Sequence, residues 1–410
     1  MTAIRRGMLS DLFEGVVTKK LTLVETITSG SNQHEFQGTR TFRQLLGDSD
    51  RKGISARFIW IQGEQVALAE DGFISWSNVR KGKPRPAEYH LYYSSNAVTE
   101  AMKPGDGLFL AMTREGTAMV IVTPAGSTIQ NQLVWLFGLD AEGELPSVYH
   151  EVTEKESARL DFAANYILDE LGIELEEPEA DLLDSILEKF GPKFPVTREF
   201  SLFARSSLPD VLPLDDPDAA LVAWMEREEK LFRRLERHIV ADRIQAGFSS
   251  GGDADVDGFL AFSKSVQQRR RSRAGFALEN HLEALFLAHK VRFSRGAETE
   301  KGNKPDFLFP GVDQYHDSTF PVSRLTMLGV KSTLKDRWRQ VLAEADRISS
   351  KHLLTLEPGI SVNQTEQIKA SHLQLVIPKP IHATYGARQL PGLITINDFL
   401  NVVRERQSAA

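Results

Sequence analysis

The hydrophobic period of this 410-residue chain changes near residue 150. Over residues 15–150 apolar and polar positions alternate in short stretches, such as ARFIWIQGEQVALAEDGFISW, GLFLAMTREGTAMVIVTP and NQLVWLFGL, broken by Gly, Pro and Asn. A period of two sends side chains to opposite faces of a strand, so this half predicts a mainly β barrel or sandwich. Residues 155–190 change to helical spacing rich in acids, which FGPKFP at 190–195 interrupts. From 216 onward DPDAALVAWMEREEKLFRRLERHIVADRIQAGF predicts one long helix, opened by Asp216 and Pro217 and closed by Gly247, after which helices and strands alternate. The change of period, and a length beyond one ordinary core, predict a multidomain chain. Its expected parts are an N-terminal β domain over 1–155, an acidic helical linker region over 156–195 and a C-terminal α/β domain over 196–410.

Charge follows the same division. The net charge is −7, yet residues 151–220 hold 18 Asp and Glu against 6 Lys and Arg, while residues 261–350 hold 16 Lys and Arg against 10 acids. The basic excess lies where a phosphate-binding surface would be needed. With no cysteine in the chain, disulfides and thiolate metal sites are excluded, and any metal must sit on oxygen or histidine. No stretch approaches the length of a membrane span, and the expected location is the cytoplasm.

Several motifs fail on inspection. Asp253, Asp255, Asp257 and Gly258 imitate the start of a Ca²⁺ loop, but its twelfth position is Lys264 where a bidentate Glu is required, so a helix-entry loop is expected. His34 and Glu35 have no second His at zinc-protease spacing, and neither a phosphate-binding Gly loop nor a dinucleotide fingerprint occurs.

The informative stretch is 304–344, KPDFLFPGVDQYHDSTFPVSRLTMLGVKSTLKDRWRQVLAE. Asp306 opens the apolar run FLF and Lys331 ends LTMLGV, so a carboxylate on one strand and a lysine on its neighbour can meet at one sheet edge. From about Leu334 the apolar positions Trp338, Val341, Leu342, Ala345 and Ile348 have helical spacing, which would put Arg337 and Glu344 on one flank two turns apart. Phosphodiester hydrolysis needs a metal to hold and acidify water, and a cation to offset charge on the phosphorane. Asp306 and Glu344 would bind Mg²⁺ through hard oxygen ligands, with Lys331 orienting water or stabilising the transition state. Arg269, Arg270, Arg271 and Arg273 form a run expected to touch phosphates.

With these residues in view, SKSVQQRRRSRAGFALENHLEALFLAH, GNKPDFLFPGVDQYHD and VKSTLKDRWRQVLAEADRI, within 258–385, resemble the catalytic domain of EcoRII-type restriction endonucleases. Weaker similarity extends back to FPVTREFSLFARSSL. The resemblance implies a restriction-endonuclease core of the PD-(D/E)XK kind whose second carboxylate, Glu344 here, has moved onto the helix. It implies base reading by Lys335, Asp336 and Arg337, for which the chemistry is suitable: Lys and Arg donate to guanine O6 and N7, and Asp accepts from cytosine N4. It also implies Glu279, on a helix opened by SRAG, as an accessory metal-site carboxylate, and a Tyr315 and His316 pair near the site in the turn between the two catalytic strands. Trp224 and Arg227 are the candidates to support an extruded central base.

The N-terminal half resembles the family's DNA-binding pseudobarrel more weakly, through KKLTLVETITSGSNQHEFQG and SNVRKGKPRPAEYHLYY. The second stretch interleaves Arg80, Lys81, Lys83 and Arg85 with Tyr89, Tyr92 and Tyr93, suited to gripping a phosphate backbone. Lys20 and His34 are secondary candidates. What the resemblance implies is a type IIE enzyme that binds an effector copy of its site through the N-domain and cuts double-stranded DNA at CC-x-GG, CCWGG in particular, as a homodimer. The alternatives are a modification-dependent nuclease and a non-cleaving DNA-binding regulator.

Overall fold

The computed structural model describes residues 6–26, 34–63, 66–139, 149–151, 181–250, 253–334 and 337–408. The N-terminal part is built on one eight-stranded sheet. Its strands are β1 (Phe13–Lys20), β2 (Glu35–Gln37), β3 (Arg51–Gly63), β4 (Val66–Asn78), β5 (Tyr89–Tyr93), β6 (Gly107–Thr113), β7 (Ala118–Thr123) and β8 (Tyr149–Glu151). They lie in the order β2-β5-β4-β3-β7-β6-β1-β8, antiparallel throughout except for the parallel pair β3 and β7.

The period of two is visible in where alternate side chains go. Val17, Phe58, Trp60, Leu108, Leu110, Val120 and Val122 fill an apolar core on one face, beside Trp76, Phe36 and Phe42. Their neighbours Val16, Ile59, Phe109 and Ile121 point to the other face and join the apolar core that continues into the C-terminal part. Central strands buried on both faces explain why their sequences read as nearly unbroken apolar runs. One stretch read as strand is corrected: NQLVWLFGL belongs to the helix Thr128–Leu136 and the turn after it, capped by the Ser127 hydroxyl, which accepts from the Gln130 N–H. Beyond that cap the segment has Ile129, Leu133 and Leu136 at helical spacing, all buried.

That helix joins the two parts. Asn131 donates to the Gly359 carbonyl at 3.3 Å, Gln132 to the Pro358 carbonyl at 2.9 Å, and Ser361 N–H donates to the Thr128 hydroxyl at 3.1 Å.

The C-terminal part is α/β. A helix Asp181–Phe190 and a helix Thr197–Ser206 precede two long ones, Pro217–Gln245 and Val256–Ala288. The first long helix begins as its sequence predicts, with Asp216 accepting from Ala219 N–H and Pro217 in the first turn. The loop between the long helices is a helix-entry loop, where Asp255 accepts from Gly258 N–H at 2.8 Å. A short two-stranded ribbon, β9 (Ser249–Ser250) with β10 (Asp253–Ala254), leads into it. The helix reaching Ala288 is continuous from Val256 and does not open at SRAG, because nothing in that segment breaks its backbone hydrogen bonds.

The six-stranded sheet runs β11 (Ser294–Arg295), β12 (Phe307–Phe309), β13 (Thr326–Val330), β14 (Lys351–Leu354), β15 (Leu373–Val376) and β16 (Leu393–Ile394) in sequential order. The first three strands are antiparallel and the last four parallel. Phe307 and Phe309 point to one face and meet Phe286 edge-on at 5.1 and 5.2 Å, packing the sheet on the long helix. On the other face the short helix Trp338–Leu342 sits so close to β13 that a Cβ on Gly329 would come within 2.8 Å of the Val341 side chain. Among the described residues no helix is long and apolar enough to cross a membrane.

Candidate active site

Asp306 stands immediately before β12 and Lys331 immediately after β13, and the antiparallel pairing of Phe307 with Leu328 brings their ends together. Oδ2 of Asp306 accepts from the Val330 N–H at 2.6 Å and from Nζ of Lys331 at 3.0 Å. The two side chains are 17% and 13% exposed, so the pair is mostly shielded yet reachable from solvent.

Glu344 approaches from the loop beyond the short helix. The sequence reading placed it on a helix extending from about Leu334 to Ile348; the helix ends at Leu342, and Ala345 takes a left-handed φ of 49°. Periodicity is kept by burying Trp338, Val341, Ala345 and Ile348, but the backbone turns between them. Glu344 therefore does not share a helix flank with Arg337, which is the exposed residue capping the helix start. Burial, with the negative charge of Asp306 adding to it, pushes the Glu344 carboxyl up to about 7 against the pull of Lys331 and Lys351. Its Oε2 is buried and has no hydrogen-bond partner among the described residues.

Glu279 lies on the long helix within the field of Asp306 and Lys331. Burial, and then the Asp306 charge, raise its carboxyl, while Arg295 opposes them through bonds of 2.9 and 3.2 Å to Oε2. Arg295 also bonds Glu283 and Asn280, both at 2.8 Å.

Among the described residues no three acids or histidines gather closely enough to hold a metal by themselves. The donor set nevertheless fits a hard divalent cation. Mg²⁺ retains several waters and needs only one or two carboxylates, which the half-shielded Asp306 and the orphaned oxygen of Glu344 supply. A cation there would also relieve the cost of burying acids near one another.

Tyr315 and His316 end a short helix, Val312–His316, between β12 and β13. The Tyr315 hydroxyl donates to Glu300, and His316 Nε2 bonds the Glu298 carbonyl at 3.1 Å. Lys335 and Asp336 fall outside the described residues.

Two expectations are corrected on the long helices. Trp224 is 5% exposed and packed beside Arg205 and His281, so in this structure it offers no face to an extruded base. Arg227 beside it donates to the Ser207 hydroxyl at 2.9 Å. Arg273 is also buried, donating to Glu228 at 2.9 Å across the helix pair, and so does not reach phosphate. The sequence carries a signal for both: Trp224 continues the stripe Pro217, Ala220, Leu221, and Arg273 lies seven residues from both Val266 and Asn280, positions that are all buried. Arg270 remains at the surface, although its Nε bonds Glu236 at 2.6 Å.

In the N-terminal part, Arg80 pairs with Glu88, and Lys81 with Asp50 at 2.8 Å. Lys83 and Arg85 are exposed on the same turn. The interleaved aromatics diverge from them: Tyr89 stacks on Trp76 at 5.0 Å and Tyr93 donates to the Glu25 carbonyl, both buried, while Tyr92 is partly exposed. Lys20 is exposed at the end of β1, and His34 packs against the Tyr93 ring at 5.7 Å.

Sequence reasoning missed the supports of Glu344, namely Asn303, Glu300 and Lys351. Asn303 is within the GNKPD motif, but its partner lies 40 residues away in sequence, which no spacing reveals.

Comparison with known proteins finds similarity over the C-terminal part. Residues 232–400 match the family model described as EcoRII C terminal. The type II restriction enzyme EcoRII of Escherichia coli is 40% identical over 230 residues, covering 56% of this chain and 55% of that enzyme. The type II restriction enzyme SsoII of Shigella sonnei is 35% identical over 113 residues, 25% of this chain and 35% of that enzyme. A solved structure of metal-depleted Ecl18kI in complex with uncleaved, modified DNA aligns at a TM-score of 0.43 and 19% identity, over 56% of this chain and 86% of that one. The chain thus spans about half the length of EcoRII, and less of SsoII. Asp306, Lys331 and Glu344 all lie inside residues 232–400, the stretch that matches the EcoRII C-terminal family model.

Proposed function

We propose that this chain is a type II restriction endonuclease of the EcoRII kind, which hydrolyses phosphodiester bonds of double-stranded DNA with Mg²⁺ held by Asp306 and Glu344. The observation that carries the reading is the convergence of Asp306, Lys331 and Glu344 from three separate segments, with one Glu344 oxygen buried and unpartnered. Buried polar atoms are ordinarily satisfied, and exceptions in a charged cleft point to function.

Asp306 and Glu344 would hold Mg²⁺, and the chemistry it would supply when bound is a water acidic enough to attack at neutral pH. The chain's own residues do the rest. Asp306 is fixed by the Val330 N–H, so its outer oxygen keeps one direction. Lys331, charged beside Asp306, is placed to offset the negative charge that grows on the phosphorane. Glu279, held by Arg295, is the accessory carboxylate. Base reading falls to the loop after Lys331, with Lys335 and Asp336 beside the exposed Arg337. The same reading makes residues 1–155 the pseudobarrel that binds a second, effector copy of the site. Lys83 and Arg85 are its phosphate contacts, with Arg80, Lys81, Lys20 and His34 around them. A duplex site read symmetrically makes the enzyme a homodimer.

Digestion of unmethylated plasmid with purified protein and Mg²⁺, followed by sequencing of the fragment ends, tests this. Ends that all fall at CCWGG support it. Tight duplex binding with no cleavage would favour a regulator, and cleavage confined to methylated plasmid a modification-dependent nuclease.

A further inference from the structure

Glu344 poses a mechanical question, because a metal-binding carboxylate on a turn is held less firmly than one on a helix or strand. Its neighbours answer it. Asn303 Nδ2 donates to the Ala343 carbonyl at 2.7 Å, and Lys351 Nζ donates to the Leu342 carbonyl at 2.6 Å. On the far side of Glu344, Glu300 accepts from the Asp346 N–H at 3.2 Å, and the Tyr315 hydroxyl accepts from the Arg347 N–H at 3.2 Å while donating to Glu300. Ala345 between these anchors is fully buried with a positive φ, so the turn has little room to relax.

Asn303 is the informative member, since it lies three residues before Asp306 on the same segment. Its own backbone is fixed: its carbonyl accepts from Thr299 N–H at 2.7 Å and from the Thr299 hydroxyl at 3.1 Å. The Asn303 amide is therefore a strut between the segment that leads into Asp306 and the turn that carries Glu344. Lys351 opens β14, whose neighbour β13 leads into Lys331, and it ties the turn to the sheet. It is 7% exposed, and a buried ammonium spent on a main-chain carbonyl is costly unless that carbonyl must stay in place.

We propose that Asn303 and Lys351 are positioning residues that set Glu344 against Asp306 and Lys331, Asn303 by spanning the two carboxylate-bearing segments and Lys351 by anchoring the turn to β14. The inference rests on the nuclease reading for its purpose but not for its geometry, and the test separates the two.

Hydrogen exchange of amides 343–348 in metal-free protein reads the geometry, and Mn²⁺ binding by calorimetry reads its consequence. Asn303→Ala should raise exchange across 343–348 while leaving exchange in β12 and β13, the melting temperature and metal-free DNA binding unchanged. It should weaken Mn²⁺ binding by roughly tenfold to a hundredfold, the usual loss when a group orienting a metal ligand is removed. Lys351→Met should do the same and Lys351→Arg should recover most of the affinity. Unchanged exchange and Mn²⁺ affinity in a folded Asn303→Ala protein would overturn the proposal. Raised exchange in that variant, together with native protein that binds no Mn²⁺, would uphold the strut and overturn the nuclease reading instead.

Discussion

Two sets of charges in this molecule are held in opposite ways. On the turn 79–88 of the N-terminal sheet, Arg80 and Lys81 pair with acids at the surface while Lys83 and Arg85 stay in water. Asp306 and Lys331 at the ends of β12 and β13, and Glu344 on the turn beyond the short helix, are mostly shielded, and among the described residues one Glu344 oxygen has no donor. Exposed pairs contribute little and can be exchanged at small cost, whereas shielded acids near one another oppose folding. A chain retains the second kind of arrangement where it performs chemistry; the first is suited to contacts whose strength varies with salt.

The comparison is sharpest at Lys331. Lys331→Met removes the cation beside Asp306 and, on the proposed reading, should lower cleavage by about a hundredfold to a thousandfold, with metal-free DNA binding retained, as measured in single-turnover assays. A loss below about threefold would place the charge compensation elsewhere.

Gly329→Ala should come next. The new Cβ would press on Val341, and overpacking of this kind costs about 1–3 kcal/mol. Because the helix it displaces leads directly to Glu344, activity should fall further than stability does. Val341→Ala in the same chain makes room, so the double variant should recover activity; if it does not, the fit between β13 and the helix is not what sets Glu344.

Two histidines, one in each part, should contribute to stability with opposite dependence on pH. His352 on β14 is buried beside Phe399, and burial, with Arg406 adding to it, lowers its imidazole from 6.5 to about 4. The unfolded chain then takes up the proton first, so stability is full above pH 6.5 and declines as pH falls toward 4, by at most about 3 kcal/mol. His90 on β5 lies between Glu35 and Glu88; burial depresses it, but the two acids outweigh burial and raise it above 6.5. That contribution is full below pH 6.5 and is lost as pH rises through the folded value. Because Glu344 and Glu279 are raised in the same part and act in the opposite sense, the His352 contribution is read as a difference: in denaturant melts His352→Leu should lose less stability than native protein between pH 6.5 and 4. An unchanged profile in a folded His352→Leu protein would contradict the assignment.

The smallest effect belongs to the surface set. Lys83→Ala with Arg85→Ala should leave the melting temperature unchanged and reduce the salt dependence of duplex binding by a slope of about two, the value for two lost phosphate contacts. An unchanged slope would remove this turn from the DNA interface.

How much of this was legible in the sequence depended on distance along the chain. The strand alternation outside NQLVWLFGL, the Asp216 and Asp255 caps and the ends of the long helix are local patterns, and each is found in the structure. Asp306 and Lys331 were legible because both flank short apolar strands of the same hairpin-like unit. The end of the helix before Glu344 was not, since the left-handed residue there is Ala345 and no glycine announces the turn. The fate of Trp224 and Arg273 turned on a partner helix, and Arg273 is buried only because Glu228 on that helix meets it. The parallel pairing of β3 with β7, separated by three other strands, left no local mark.

The most direct test is a single comparison: Mg²⁺-dependent cleavage of a duplex carrying two CCWGG sites by native protein and by the Asp306→Ala variant, each shown to bind that duplex without metal. Cleavage by the native protein, reduced by about a thousandfold or more in the variant, is the result the site predicts. Equal cleavage by both proteins would mean that the chemistry lies elsewhere in the chain.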